Sequence, residues 1–115
     1  KVKENKMNTA DFAELVSVFI FLRAFHFNVE PETGNCTLVI ELAESEFLNS
    51  PLISLEFSKV SNLALKDFGG GATQLLCLRL ESIAYQQLDQ VNYFVNELER
   101  GVLSFFCQDC SLTTF

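Results

Sequence analysis

From Phe21 onward this chain contains a series of runs in which apolar residues fall at alternate positions, and the links between these runs are too short to carry a helical crossover. Side chains that alternate with a period of two belong to strands that bury one face. Strands joined by short links return beside one another, so the sequence predicts mainly antiparallel order. The first run sets Phe21, Phe25, Phe27 and Val29 on one side and Ala24, His26, Asn28 and Glu30 on the other. "EPETGN" then supplies Pro31, Gly34 and Asn35 for a turn, and "CTLVIELA" brings Cys36, Leu38, Ile40 and Leu42 to one face of the return strand. After the link "ESEFLNSP", which reads as polar, mobile and a weak boundary, Ile53, Leu55 and Phe57 alternate with Ser54, Glu56 and Ser58. Leu63 and Leu65 continue the strand character.

Residues 74–81 direct Leu76, Leu78 and Leu80 inward, while Leu75 and Cys77 suggest cover on the second face, which predicts a central position for this strand. "SIAYQQLDQ" fits either a helical turn or a strand. Val91, Tyr93 and Val95 alternate with Asn92 and Asn96, and "LERG" leads into "VLSFFC" as a closing hairpin.

Ahead of the strands the period changes. Phe12, Leu15, Val16, Phe19 and Ile20 recur at helical spacing, Asn8 or Thr9 can cap, and Asp11 suits the positive end of a helix dipole. The spacing predicts a helix over residues 9–19 that packs on the sheet. The expected fold is therefore α+β: an N-terminal helix on a mainly antiparallel sheet of about seven strands, in a single domain over residues 1–115. Lys1, Lys3 and Lys6 precede Met7 and read as an upstream remnant. Lysines followed by "LVSVFIFL" imitate a secretory signal, but Asp11 and Glu14 interrupt the approach, Arg23 closes the run, and no small-x-small cleavage site follows. The run is far short of the roughly 20 residues that cross a bilayer. A cytoplasmic chain without a membrane partner is expected.

The chain carries 12 Phe and no Trp within a hydrophobic content of 49%, ample material for a packed core. Its net charge is −7, and from Met7 onward 14 acids face 5 bases. Such a balance opposes nucleic acid and anionic membrane as partners and favours a basic protein.

No motif for catalysis stands out. Gly69-Gly70-Gly71 is preceded, not followed, by a lysine, and a strand pattern rather than a helix comes next, so it is a strand-to-strand connection and not a phosphate loop. His26 is the only histidine and sits on a polar strand face, and no serine has a G-x-S-x-G elbow. Cys107 and Cys110 form a CxxC, but it ends a strand, whereas redox pairs usually open a helix; Cys36 and Cys77 do not supply a second close pair for zinc. Buried free thiols are expected, with no metal, no cofactor and no enzymatic activity. The acids Glu44, Glu46, Glu97, Glu99 and Asp109 are the candidate partner-binding residues, since they cluster in the links and turns where a basic surface could meet them.

The stretch from Leu55 to Cys107, about half the chain, resembles the small immunity proteins of bacterial polymorphic-toxin and contact-dependent growth-inhibition systems. The likeness lies in the order of features: Phe57 and Val60 in a strand, the "DFGG" turn, Tyr93–Val95, an acidic hairpin and "SFFC". It implies a toxin inhibitor that binds a cognate toxin domain and occludes its active site or substrate groove. A basic nuclease is the toxin that an acidic inhibitor fits best. The alternative is a small ligand- or metal-binding domain using Cys107, Cys110 and Asp109.

Overall fold

The computed structural model describes residues 3–71, 73–83 and 91–114. Among them are nine strands and one helix, in the order β1 (Lys3–Lys6), α1 (Thr9–Val16), β2 (Phe21–Val29), β3 (Cys36–Ala43), β4 (Leu52–Ser58), β5 (Ser61–Leu65), β6 (Leu78–Ser82), β7 (Tyr93–Glu97), β8 (Leu103–Cys107) and β9 (Asp109–Thr114). They form two antiparallel sheets rather than the single sheet expected, one ordered β1-β9-β4-β3-β2 and the other β5-β8-β7-β6.

The division has a local cause. Lys59 takes a left-handed backbone angle, φ 50°, as the chain leaves β4 for the second sheet, and Asn62, φ 54°, lies at an irregularity between Ser61 and Ala64 just inside β5. β8 and β9 make the same passage beside it: Ser58 pairs with Asp109 before the bend and Ser61 with Phe106 after it, so the register runs through the corner unchanged. The Gln108 amide donates to the Ser58 carbonyl at 2.9 Å between them. Leu63 and Leu65 do continue a strand, as the alternation predicts, but on the other side of a corner where two strands change sheets together.

Inward residues of both sheets meet at this bend. Phe57 of β4 contacts Phe105 of β8 edge-on, with ring centroids 4.9 Å apart, and Phe12 of α1 at 6.4 Å. One ring thus joins both sheets and the helix. Leu38, Ile40, Leu42, Leu55, Val95 and Leu103 complete the centre of the core.

The helix begins as predicted: Asn8 caps it, its Oδ1 accepting the Asp11 amide at 2.8 Å. It ends at Val16 instead of Phe19, because Ser17 and Val18 form a turn. It packs against β6, which lies at the edge of the four-stranded sheet and not at its centre. Leu75, buried, precedes that strand and donates its amide to Ile20 at 2.8 Å, whereas Leu76 is exposed. The apolar run "LLCLRL" is therefore divided between a bridge to β2 and the strand proper.

Lys3–Lys6 pair with β9 as an outer strand, and the Met7 amide follows with a bond to the Cys110 carbonyl at 2.8 Å. The glycine run joins β5 to β6, the two opposite edges of one sheet, and touches β2 on the way through the Phe21–Gln74 bridge. Gly69, Gly70 and Gly71 have φ 92°, 78° and 144°, a sequence of angles that side-chain-bearing residues rarely adopt. The ambiguous stretch after Ser82 falls, over residues 84–90, outside the described residues.

Because Phe57 contacts all three layers, Phe57→Ala is expected to lower unfolding free energy by about 3–5 kcal/mol. Phe57→Leu should cost less than half of that, and urea denaturation of the two variants checks the difference.

Candidate functional site

Glu44 and Glu46 are both exposed on the loop between β3 and β4. The loop is braced from several directions. The Arg23 guanidinium, at a bulge in β2, donates to the Ser45 carbonyl at 2.8 Å and to the Phe47 carbonyl. Ser50 Oγ accepts the Ser45 amide at 3.0 Å, and Ser45 Oγ accepts the Phe47 amide at 3.2 Å. The link reads as mobile in sequence, yet its backbone is tied down by one long cation and two hydroxyls.

At its tip stand Phe47, 69% exposed, and Leu48, 94% exposed. Large apolar side chains held so far into solvent on a fixed loop, directly after two acids, are unusual in a chain with no partner. Sequence reasoning passed over both residues. The signal was present as an adjacent Phe and Leu inside an otherwise polar link, where no alternation gives them a core face.

The other expected acids are placed differently. Glu97 is 2% exposed and turned inward at the end of β7. Its carboxylate accepts the amides of Arg100 at 2.9 Å, Glu99 at 3.0 Å and Val102 at 3.3 Å, which holds the turn that closes the β7–β8 hairpin. Burial alone would raise its pKa, but the backbone bonds from Arg100, Val102, Glu99 and Cys77 outweigh it and hold the carboxyl below the usual carboxylate range. Glu97 is therefore a support for the turn, and Glu99, exposed on that turn, is the acid a partner could reach.

Asp109 is half-buried at the corner and forms a 3.4 Å ion pair with Lys6. It begins β9, whereas Glu44 follows the end of β3; the ladder sets Ser58 against Asp109 and Ala43 against Leu52, so the two sites lie at opposite ends of the five-stranded sheet. Glu99 lies at the Glu44 end. Phe21 pairs with Ala43 on one side and bridges Gln74 on the other, and the Leu98 amide reaches the Cys77 carbonyl three residues further on, at 2.8 Å. Glu44, Glu46 and Glu99 thus share one end of the molecule with the exposed Phe47, Leu48, Leu76 and Leu98.

All four cysteines are free thiols. Cys107 and Cys110 are fully buried on the two strands that flank the corner. Burial, with Asp109 nearby, pushes the Cys107 thiol up to about 12, and burial with the adjacent Cys107 and Asp109 raises Cys110 as well. Zinc binding and thiol exchange both need the thiolate, and this environment disfavours it. Among the described residues no group of three or more His, Cys, Asp or Glu side chains is arranged to hold a metal. A separate groove of about 620 Å³ runs along α1, lined by Leu15, Val18, Phe19 and Leu112 together with Lys6, Met7, Asp11 and Glu14.

The hydrogen-bonded carboxylate sets a pH dependence. Since folding lowers the Glu97 pKa, its contribution is complete above the unfolded carboxylate range and is lost as pH falls through the folded value. Glu97→Gln is expected to cost about 1.5–3 kcal/mol at pH 7, with the gap to the parent protein closing in acid, as read by urea unfolding across pH. Thiol accessibility makes a second expectation: an alkylating reagent followed by mass spectrometry should label exposed Cys77 in the native protein, and Cys107 and Cys110 only after unfolding.

The comparisons with known proteins address function directly. A family model described as Immunity protein PIM8 matches residues 6–112, which takes in the helix, both sheets and the corner. No curated protein and no solved structure matches the chain. Because the family match spans nearly the whole chain, this protein belongs to the PIM8 immunity proteins, whose function is to neutralise a toxin.

Proposed function

We propose that this immunity protein neutralises its cognate toxin in the cytoplasm by seating the loop of residues 44–51 against the toxin's active site or substrate groove, and that the toxin domain is basic, with a nuclease the best fit. The observation that carries this reading is the braced loop itself: Phe47 and Leu48 are held out into solvent directly after the exposed Glu44 and Glu46. A protein surface that holds phosphates is rich in Lys and Arg, and the net charge of −7 favours encounter with it. The exposed acids then set the approach, while an apolar anchor at the tip supplies much of the binding free energy once water is excluded. Glu99 at the same end gives a second acidic contact, with Glu97 fixing the turn that presents it. Asp109 is the weakest member of the set, half-covered, paired with Lys6 and at the far end of the sheet. The reading of a ligand- or metal-binding domain at Cys107 and Cys110 gains no support from two thiols enclosed by the core.

Two substitutions separate rate from affinity. Reversing both loop acids, Glu44→Lys with Glu46→Lys, should slow association with the toxin about tenfold at low salt, with the difference shrinking as ionic strength rises. Phe47→Ala should leave association nearly unchanged and speed dissociation, costing about 2 kcal/mol or more. Surface plasmon resonance across salt concentrations measures both. Unchanged kinetics in both variants would place the interface elsewhere.

A further inference from the structure

We infer that the outer edge of β2, over residues 25–29, receives a strand of the cognate toxin, which adds to the five-stranded sheet by main-chain hydrogen bonding. This rests on the immunity reading above and supplies a recognition mode for it.

The direction of the β2 backbone follows from the bonds at its two ends. The Glu30 amide donates to the Asn35 carbonyl at 2.8 Å, so Glu30 faces β3. Alternation along an antiparallel pair then turns Asn28, His26 and Ala24 toward β3 as well. Phe25, Phe27 and Val29 consequently direct their N–H and C=O groups outward. The other end agrees: the Leu22 amide points outward and donates to Thr73 at 2.9 Å, and the bulge at Arg23 restores the phase before residue 24.

The first part of this edge is therefore already in use as a pairing edge, by residues 73–75. Beyond it no described residue pairs with Phe25, Phe27 or Val29 on the side away from β3. Natural edge strands are commonly protected by lysine, proline or a bulge. Residues 25–29, "FHFNV", contain neither lysine nor proline, and the bulge lies before them.

Side chains strengthen the case. The core-facing side of β2 carries Phe25, Phe27 and Val29, opposite Ile40, Leu38 and Cys36. Phe68 covers Phe25 edge-on at 5.6 Å, but Phe27 is 42% and Val29 56% exposed. An added strand would place every second side chain beside these two and extend the apolar layer over them. The edge also adjoins the proposed loop, because Arg23 both precedes it and holds Ser45 and Phe47.

Charge selects the occupant. Exposed Glu30 and Glu32 stand at one end of the edge, and Glu44 and Glu46, on the loop that Arg23 holds, at the other. A second copy of this chain would bring another −7 and the same acids against them. A toxin strand with apolar residues at alternate positions and Lys or Arg at its ends is complementary in both respects.

The test uses the cognate toxin domain, taken as the product of the adjacent toxin gene, with amide hydrogen exchange on the intact complex and binding of two variants. Phe27→Pro removes an outward donor that makes no bond within the sheet, and Phe27→Ala removes the ring and keeps the donor. Protection of the Phe25, Phe27 and Val29 amides in the complex is expected, with Phe27→Pro binding about tenfold to a hundredfold more weakly than Phe27→Ala. Tight binding without protection at these amides would overturn the strand addition and leave the immunity function standing. The same amides protected in a dimer of the free protein would reassign the edge to a second copy. Failure of the parent protein both to bind the toxin and to rescue toxin-expressing cells would remove the immunity reading itself and this inference with it. Exchange on the parent complex decides the matter even where Phe27→Pro does not fold.

Discussion

The corner at which β4 becomes β5 while β9 follows β8 is the constraint on which the rest of the molecule depends. Two antiparallel strands turn together from one sheet into the other, keeping their register as far as Ser61 and Phe106, with Gln108 bonded to Ser58 across the bend. Because the ribbon is continuous, the two sheets cannot separate without breaking a strand pair. Their inner faces are brought together where Phe57 meets Phe105, and the helix closes against the same ring through Phe12. Everything beyond the corner is hung from it: β3 and β2 on one side, β7 and β6 on the other.

The alternation that makes the strands legible also contains the corner, in the form of its failure. Phe57 and Val60 are both buried although three residues apart, as are Cys107 and Cys110. In a flat strand that spacing puts two side chains on opposite faces. Here the phase slips on both strands at the same place, since a strand that changes sheets must keep its apolar side toward a core that has moved around it. The CxxC is thereby explained as packing: its two thiols are inward residues on either side of a bend. The strands themselves, the capped helix and the closing hairpin could be read from local pattern. Pairing between distant segments could not, which is why Lys3–Lys6 was assigned no place and β6 was expected at the centre. A strand with two inward leucines looks the same in sequence at the centre of a sheet and at an edge that a helix covers.

The exposure of the candidate acids was less legible than their presence. Acids in turns are visible, but whether a carboxylate faces solvent or its own backbone depends on the turn it belongs to. Glu97 and Glu99 illustrate this, since a spacing of two suggests one shared face and the chain leaves the strand between them. One is consumed by three amides, and the other is left exposed. Phe47 and Leu48 escaped attention for the opposite reason: apolar residues are first assigned to the core, and only the observed loop, tied by Arg23, shows that these are directed away from it.

An inhibitor of a toxin must bind quickly, before damage is done, and then not release. These demands fall on different physical terms. Long-range attraction between an acidic chain and a basic partner raises the rate of encounter but is screened by salt and adds little to lifetime. Lifetime comes from surfaces that lose water on contact, and from groups already held in the bound geometry, so that little entropy is lost on binding. In the proposed complex a tip of two apolar residues on a braced loop, and a sheet edge fixed by its own neighbours, would meet the second demand, and the surrounding carboxylates the first. Main-chain bonds are indifferent to sequence and can be retained, while the side chains at the loop tip and beside the edge can change to fit a new partner without disturbing the corner that carries them.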